Sequence, residues 1–246
     1  MEPNLLHPRQ SVMRRLAVFL ALTFSTLSLA NDRVSRVRAS RSEDVKALLK
    51  QAGLGSPVDE AYLRVFKEER QVELWASAAG KPMALVKSWT ICAASGDLGP
   101  KRVEGDLQVP EGLYEVSEFN PTSNYHLALK VAYPNASDRV RSDRKTPGGL
   151  IYMHGKCASI GCIAIEDEPI EVVYLVALDA RRKPIRIDLF PRRLDAKWLE
   201  AQHESPNAAL WAELAPAYQQ FERTHRPAAF SVDPRSGAYR VKSATP

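Results

Sequence analysis

One stretch in the middle of the chain, Met153-His154-Gly155-Lys156-Cys157-Ala158-Ser159-Ile160-Gly161-Cys162-Ile163-Ala164-Ile165, concentrates side chains able to make and break covalent bonds. A nucleophilic cysteine needs a base to take its proton, or a positive environment that lowers a thiol pKa of about 8.5. His154 stands eight residues before Cys162. A tight loop through Gly155 and Gly161 can fold that span so that imidazole faces thiol. Gly161 has no Cβ, so backbone N–H groups can approach a reacting carbonyl closely, and those of Gly161 and Cys162 are candidate oxyanion donors for acyl transfer. Ser159 has no base of its own and reads as a hydroxyl that orients the turn. Spacing leaves two other readings open. Cys157 and Cys162 could be a local disulfide or small buried hydrophobes, with His154 a core histidine. A compact metal site of His154, Cys157 and Cys162 is the other, and it lacks an obvious fourth ligand.

Further candidates flank this run. Asn120-Pro121-Thr122-Ser123-Asn124-Tyr125-His126 combines turn chemistry with a histidine that enters a strand; His126 serves either the structure or a cleft, beside Tyr125. Arg139, Arg141, Arg144 and Lys145 crowd the loop Ser137–Gly149, and with Lys156 they form a solvated basic loop or a cationic rim for an acidic substrate. Glu166-Asp167-Glu168 suits the first turn of a helix, where carboxylates complement the dipole.

The elements that must position these residues are mostly strands. Val72, Leu74 and Trp75, then Gly80-Lys81-Pro82, then Ala84–Cys92 read as strand, turn and strand. Gly112–Phe119, Leu127–Tyr133, Ile163–Ile165 and Ile185–Phe190 are further strand candidates. Ser42-Glu43-Asp44 reads as the cap of a short helix that closes near Gly53, and Pro57–Lys67 as a second helix. Pro169–Leu178 reads as a helix, and Leu194–Arg226 as one or two amphipathic helices. The last twenty residues read as a loose tail.

Composition bounds the rest. The chain has 246 residues, 45% hydrophobic and 26% charged, which excludes disordered and fibrous classes. Its formal charge is 34 − 29 = +5, with the basic residues scattered, so nucleic acid is not implied. Arg14 and Arg15 precede the apolar run Leu16–Ala30, which ends in Ser28-Leu29-Ala30 before polar Asn31-Asp32-Arg33. That is the layout of a signal peptide. Removing residues 1–30, with Arg9, Arg14, Arg15 and Glu2, lowers the formal charge to +3. Export would place Cys92, Cys157 and Cys162 in an oxidising compartment, where an odd count leaves one thiol over.

The run His-Gly-x-x-x-Ser-x-Gly-Cys at His154, Gly155, Ser159, Gly161 and Cys162 resembles the active-site signature of the L,D-transpeptidase catalytic domain, the YkuD family. Ser95-Gly96-Asp97-Leu98-Gly99-Pro100-Lys101, Gly105-Asp106, Pro110-Glu111-Gly112-Leu113-Tyr114, Asn120-Pro121-x-Ser123-x-Tyr125-His126 and Tyr133-Pro134-Asn135 resemble its YafK-like branch. The resemblance spans roughly Glu68–Leu189. It implies a mixed α/β, β-rich fold with flanking N- and C-terminal helices, and a cofactor-free, metal-free enzyme in a bacterial periplasm that acts on peptidoglycan stem peptides. By the same resemblance Cys162 is the nucleophile that attacks a diaminopimelate carbonyl and His154 its base, with His126, Tyr125 and Arg141 as substrate-binding candidates. The thioester would pass to an amine in transpeptidation, or to water in a hydrolase that releases a lipoprotein from peptidoglycan. A non-catalytic wall-binding module is the third alternative. Cys92 and Cys157 remain as a thiol pair, joined or both unpaired and buried. The expected organisation is a leader over 1–30, an N-terminal helical segment over 31–67, a catalytic domain over 68–190, and a helical C-terminal extension with a loose tail over 191–246.

Overall fold

The computed structural model describes residues 32–78 and 80–242. The expected leader over 1–30 lies outside them. Among the described residues, an eight-stranded sheet forms the frame: β1 (Glu60–Phe66), β2 (Gln71–Ser77), β3 (Ala84–Thr90), β4 (Gly112–Asn120), β5 (Ala128–Val131), β6 (Tyr152–His154), β7 (Ile163–Ala164) and β8 (Arg186–Phe190). The spatial order is β3-β2-β1-β8-β4-β5-β6-β7. Two pairs are parallel, β1 with β8 and β6 with β7; the other neighbours are antiparallel.

Helices cover both faces. On one side lie α1, over residues 32–51, and α3 (Asp167–Ala180), which bury Val37, Val45, Leu49, Ile170, Val173 and Tyr174 against Leu63, Val65, Ile187 and Leu189. On the other, α5 (Ala208–Thr224), preceded by α4 (Ala196–Ala201), lays Leu210, Leu214, Ala217 and Tyr218 on Phe66, Leu113 and Phe190. The mixed α/β, β-rich architecture with flanking helices is therefore observed.

Four local readings change. Pro57–Lys67 holds strand β1, not a helix. A central strand covered on both faces buries consecutive residues, so Tyr62, Leu63, Val65 and Phe66 show no alternation, and their spacing also fits a helix. Even Arg64 is buried there, with its guanidinium between Glu73 and Glu222 and over the rings of Phe66, Tyr218 and Phe221. The sheet accordingly starts before residue 68, within the segment expected to be helical.

The first helix is longer than its expected cap. Ser42 sits mid-helix with its hydroxyl turned back to the Arg38 carbonyl, and the helix ends where Gly53, at φ +74°, lets Leu54 N–H return to Leu49 O at 2.8 Å. The basic loop contains a short helix, α2 (Ala136–Arg141), closed by a reciprocal Asn135–Asp138 capping box.

The tail is not loose. Phe230–Val232 (β9) and Tyr239–Val241 (β10) form a hairpin on α5, and buried Tyr239 accepts at its hydroxyl from Asn135 Nδ2 at 2.8 Å. Alternation in Phe230-Ser231-Val232 and Tyr239-Arg240-Val241 around the turn residues Asp233, Pro234, Ser236 and Gly237 carried that signal in the sequence.

Candidate active site

Strand register places the His154 and Cys162 side chains. β6 and β7 are parallel, with Met153 opposite Ile163 and His154 opposite Ala164. Met153 and Ile163 are fully buried in the core. Side chains alternate across a strand, so His154 and, by continuation, Cys162 share the opposite face. β6, too short for a periodic signature and absent from the sequence expectations, is thus the element that carries the histidine.

His154 and Cys162 line one cavity of about 960 Å³. The His154 Nδ1 lies 2.6 Å from its neighbour's carbonyl, Gly155 O. A carbonyl only accepts, so Nδ1 carries the proton and Nε2 is left as the basic nitrogen. Burial lowers the imidazole pKa below its ordinary 6.5, against the opposing effect of that hydrogen bond. The Cys162 thiol donates to Leu150 O at 3.7 Å, and burial raises its pKa, opposed by a backbone hydrogen bond from Tyr152. Both groups rest neutral at pH 7.

The loop between them is strongly constrained. Gly161 has φ +105°, where a side chain would be strained. A Cβ on Gly155 would strike the Asp167 carboxylate and come within 2.9 Å of Tyr125 O. The same Asp167 oxygen, at the start of α3, accepts from Lys156 N at 2.7 Å. Ser159 clasps the nucleophile's own backbone: its hydroxyl donates to Cys162 O at 2.7 Å and accepts from Cys162 N at 3.0 Å.

That clasp alters the oxyanion expectation. Cys162 N–H is engaged by Ser159, and Gly161 N–H donates to Ser95 Oγ at 2.6 Å. Both candidate donors are occupied, one by a hydroxyl of the turn itself and one by Ser95 from a remote loop. An oxyanion would have to displace these hydroxyls.

The remaining candidates separate. Tyr125 lines the cavity and stacks on His154 with ring centroids 4.6 Å apart and 34° between planes. His126 turns away and bonds Glu171 on α3 through Nε2 at 2.8 Å. It anchors the Tyr125 loop, whose carbonyls also receive Arg33 Nη1 of α1 at Ser123 and His126, and Lys156 Nζ at Asn124. Arg141 is committed to the C-terminal extension through Glu213 and Ser236 O. Tyr125 lines the cavity, whereas neither His126 nor Arg141 does. Their polar partners lie on distant elements, which local spacing does not reveal.

Three apolar lining residues carry no signal in the sequence. Leu107, Leu150 and Ile160 are exposed at the cavity, as is Tyr125. Large apolar side chains held in water around one cleft mark a surface that meets a partner. Lys145 also lines it and makes no ion pair among the described residues, whereas Lys101 is paired with Asp106.

Cys157 lines a different cavity, of about 760 Å³, with Trp89, Lys156 and Glu166. The compact His154–Cys157–Cys162 metal site and the local Cys157–Cys162 disulfide are thereby both disfavoured. Cys157 is exposed, which also removes the reading of two buried thiols.

Comparison with known proteins fits this geometry. The family model described as "L,D-transpeptidase catalytic domain" (YkuD) matches residues 60–187, more than half of the chain. The match begins at β1, in keeping with the boundary correction above. A protein of Escherichia coli (strain K12) named "Putative L,D-transpeptidase YafK" is 34% identical over 226 residues, 89% of this chain and 88% of its own. Among solved structures, the helical cell shape determining protein Pgp2 from Campylobacter jejuni is similar at 20% identity and TM-score 0.46, over 76% of this chain and 80% of that one. A point variant of Pgp2 gives 23% identity and TM-score 0.46 over 71% of this chain and 62% of that one, under two thirds of its length. Bd1075 of Bdellovibrio bacteriovorus gives 18% and 0.40, over 68% and 61%. On the family model and the coverage of the Escherichia coli relative, the chain belongs to the L,D-transpeptidase catalytic domain (YkuD) family.

Proposed function

We propose that the chain is an exported cysteine acyltransferase of the bacterial periplasm that acts on peptidoglycan stem peptides. Cys162 Sγ attacks the peptide carbonyl while its proton passes to His154 Nε2. The tetrahedral adduct collapses to a thioester as the C–N bond breaks, and the imidazolium returns its proton to the leaving amine. An acceptor amine, on another stem peptide or on a wall-linked protein, then attacks the thioester, and Cys162 is released as the thiol. The observation that carries this reading is the β6–β7 register, which sets a neutral thiol and a neutral imidazole on one face of one cavity. The apolar run Leu16–Ala30 supports export. The uncommitted Lys145 offers a counter-charge for a carboxylate of an acidic peptide.

Acylation tests the proposal. The protein is incubated with a tetrapeptide donor and its intact mass read. The native chain should gain the acyl group on Cys162, Cys162→Ala should gain none, and His154→Ala should acylate about 10²–10⁴-fold more slowly. Acylation retained by Cys162→Ala removes the mechanism. A Cys162 that takes up neither the acyl group nor a thiol probe at pH 7 would indicate a wall-binding module instead. The same thioester yields to water, so products from cross-linked, lipoprotein-linked and free muropeptides distinguish transfer to an amine from hydrolysis.

A further inference from the structure

The cysteines that the mechanism leaves unused meet across the back of the active-site loop. Cys92 follows β3, the opposite edge strand of the sheet, yet its backbone is laced to β7 itself: Cys92 N donates to Ala164 O at 2.9 Å, and Ala164 N to Ala93 O at 3.0 Å. Arg70 Nη2 holds the Cys92 carbonyl at 2.8 Å. The partner loop is held from its own side. Lys156 has φ +57°, its N–H donates to Asp167, and its carbonyl accepts from Glu166 N at 3.2 Å. That carbonyl also lies 3.4 Å from Cys92 Sγ, so the Cys92 thiol reaches the backbone of the residue that directly precedes Cys157. Cys162 lines the other cavity.

We propose that Cys92 and Cys157 are a redox-active dithiol whose oxidation to a disulfide braces the loop of Cys162 and leaves Cys162 the sole free thiol. The oxidant is an external disulfide, R–S–S–R. Exposed Cys157, as thiolate, attacks one sulfur; that S–S bond breaks and the departing thiolate takes up a proton. Cys92, half-buried with its thiol pushed up to about 11 chiefly by burial, is poorly suited to start this exchange. It gives up its proton as it attacks the Cys157 sulfur, and the second R–SH leaves. Two thiols and one external disulfide become one internal disulfide and two small thiols. The product closes a long chain loop and ties the end of β3 to residue 157, with both backbones already in place.

The test uses the whole chain, reduced and then exposed to glutathione disulfide, quenched in acid, alkylated in denaturant and mapped by mass. The expected result is a linked Cys92–Cys157 peptide pair, lighter by two hydrogens than the free pair, with only Cys162 alkylated. Cys92→Ser should retain glutathione on Cys157, and Cys157→Ser should form no link. Three alkylated thiols, a stable mixed disulfide in the native chain, or a link that includes Cys162 would overturn the proposal. The oxidised protein should also melt several degrees higher than the reduced one; equal melting temperatures would overturn the brace. Donor acylation of Cys162 is measured separately on both forms, so failure of the dithiol and failure of the thioester mechanism are distinguishable.

Discussion

The chemistry of individual residues rests on two neutral groups. A lowered imidazole pKa keeps His154 unprotonated, hence basic, down to below pH 6.5, and a raised thiol pKa keeps Cys162 protonated up to above 9.0. Attack needs both forms. The second-order rate of acylation should therefore climb from acid to a plateau whose onset lies below 6.5, as His154 loses its proton, and stay level through neutral pH. Stopped-flow or quenched-mass measurements across about pH 4.5–9, which spans the His154 onset and the plateau, check this. An onset near 8.5, the value of a free thiol at about that pH, would mean that Cys162 ionises without help and that His154 is not its base. The sequence showed this pair, because a motif lists the residue types in order. It did not show that Ser95 and Ser159 already occupy the Gly161 and Cys162 N–H groups, since Ser95 reaches the turn from a loop 66 residues away.

Elements decide how the imidazole is held. The segment 121–127 carries Tyr125 over the His154 ring, and its backbone is gripped by Arg33 of α1, Lys156 of the motif loop and, through His126, Glu171 of α3. Arg41 of α1 also binds Glu171 at 2.7 Å and Glu168 at 2.8 Å, so α1 and α3 are tied at the site's edge. Tyr125 therefore covers one face of the His154 ring. Tyr125→Ala should slow acylation about 10–100-fold, in the range expected for a misplaced catalytic group, while Tyr125→Phe, which keeps the ring, should stay near the native rate. Equal losses in the two variants would assign the effect to the hydroxyl and not to stacking. The sequence left open whether His126 serves the structure or a cleft, and named Tyr125 beside it. The structure gives that place to Tyr125, because a positive φ of 71° at His126 swings its ring toward α3.

At the scale of the whole molecule, the C-terminal extension is part of the fold. Trp211 Nε1 of α5 donates to fully buried Glu111 at 2.7 Å, and Glu111 also pairs with Lys67 at the end of β1. Nearby, Tyr239 of β10, Tyr114 of β4 and the α2 cap converge on Asp138, whose carboxyl is pushed up to about 6 by burial, against the lowering effect of its Asn135 and Tyr114 hydrogen bonds. The sign follows from proton binding. Between about pH 4 and 6 the native carboxyl still holds a proton that the unfolded chain has released, so this group's stabilisation is present at low pH and is lost as pH rises through that window. The shift corresponds to on the order of 2–3 kcal/mol. Urea unfolding of the native chain and Asp138→Asn should differ in slope against pH across 4–6 (about the span of the two pKa values), with the downward contribution missing in the variant. Parallel slopes would show that Asp138 titrates normally.

The sequence by itself determined the family motif that holds His154 and Cys162, the glycines of its loop, and most strands, because those depend on residue type and on short-range periodicity. Tertiary structure decided the rest. It turned Pro57–Lys67 into a central strand, since burial on both faces erases the alternation that would mark it, and it folded the C-terminal residues into a docked hairpin. It also sorted side chains of similar chemistry. Lys145 faces the cavity while Arg141 pairs with Glu213, and Cys157 faces away from Cys162 toward Cys92. Each of these outcomes depends on a partner far along the chain, and only the sheet's strand order brings such partners together.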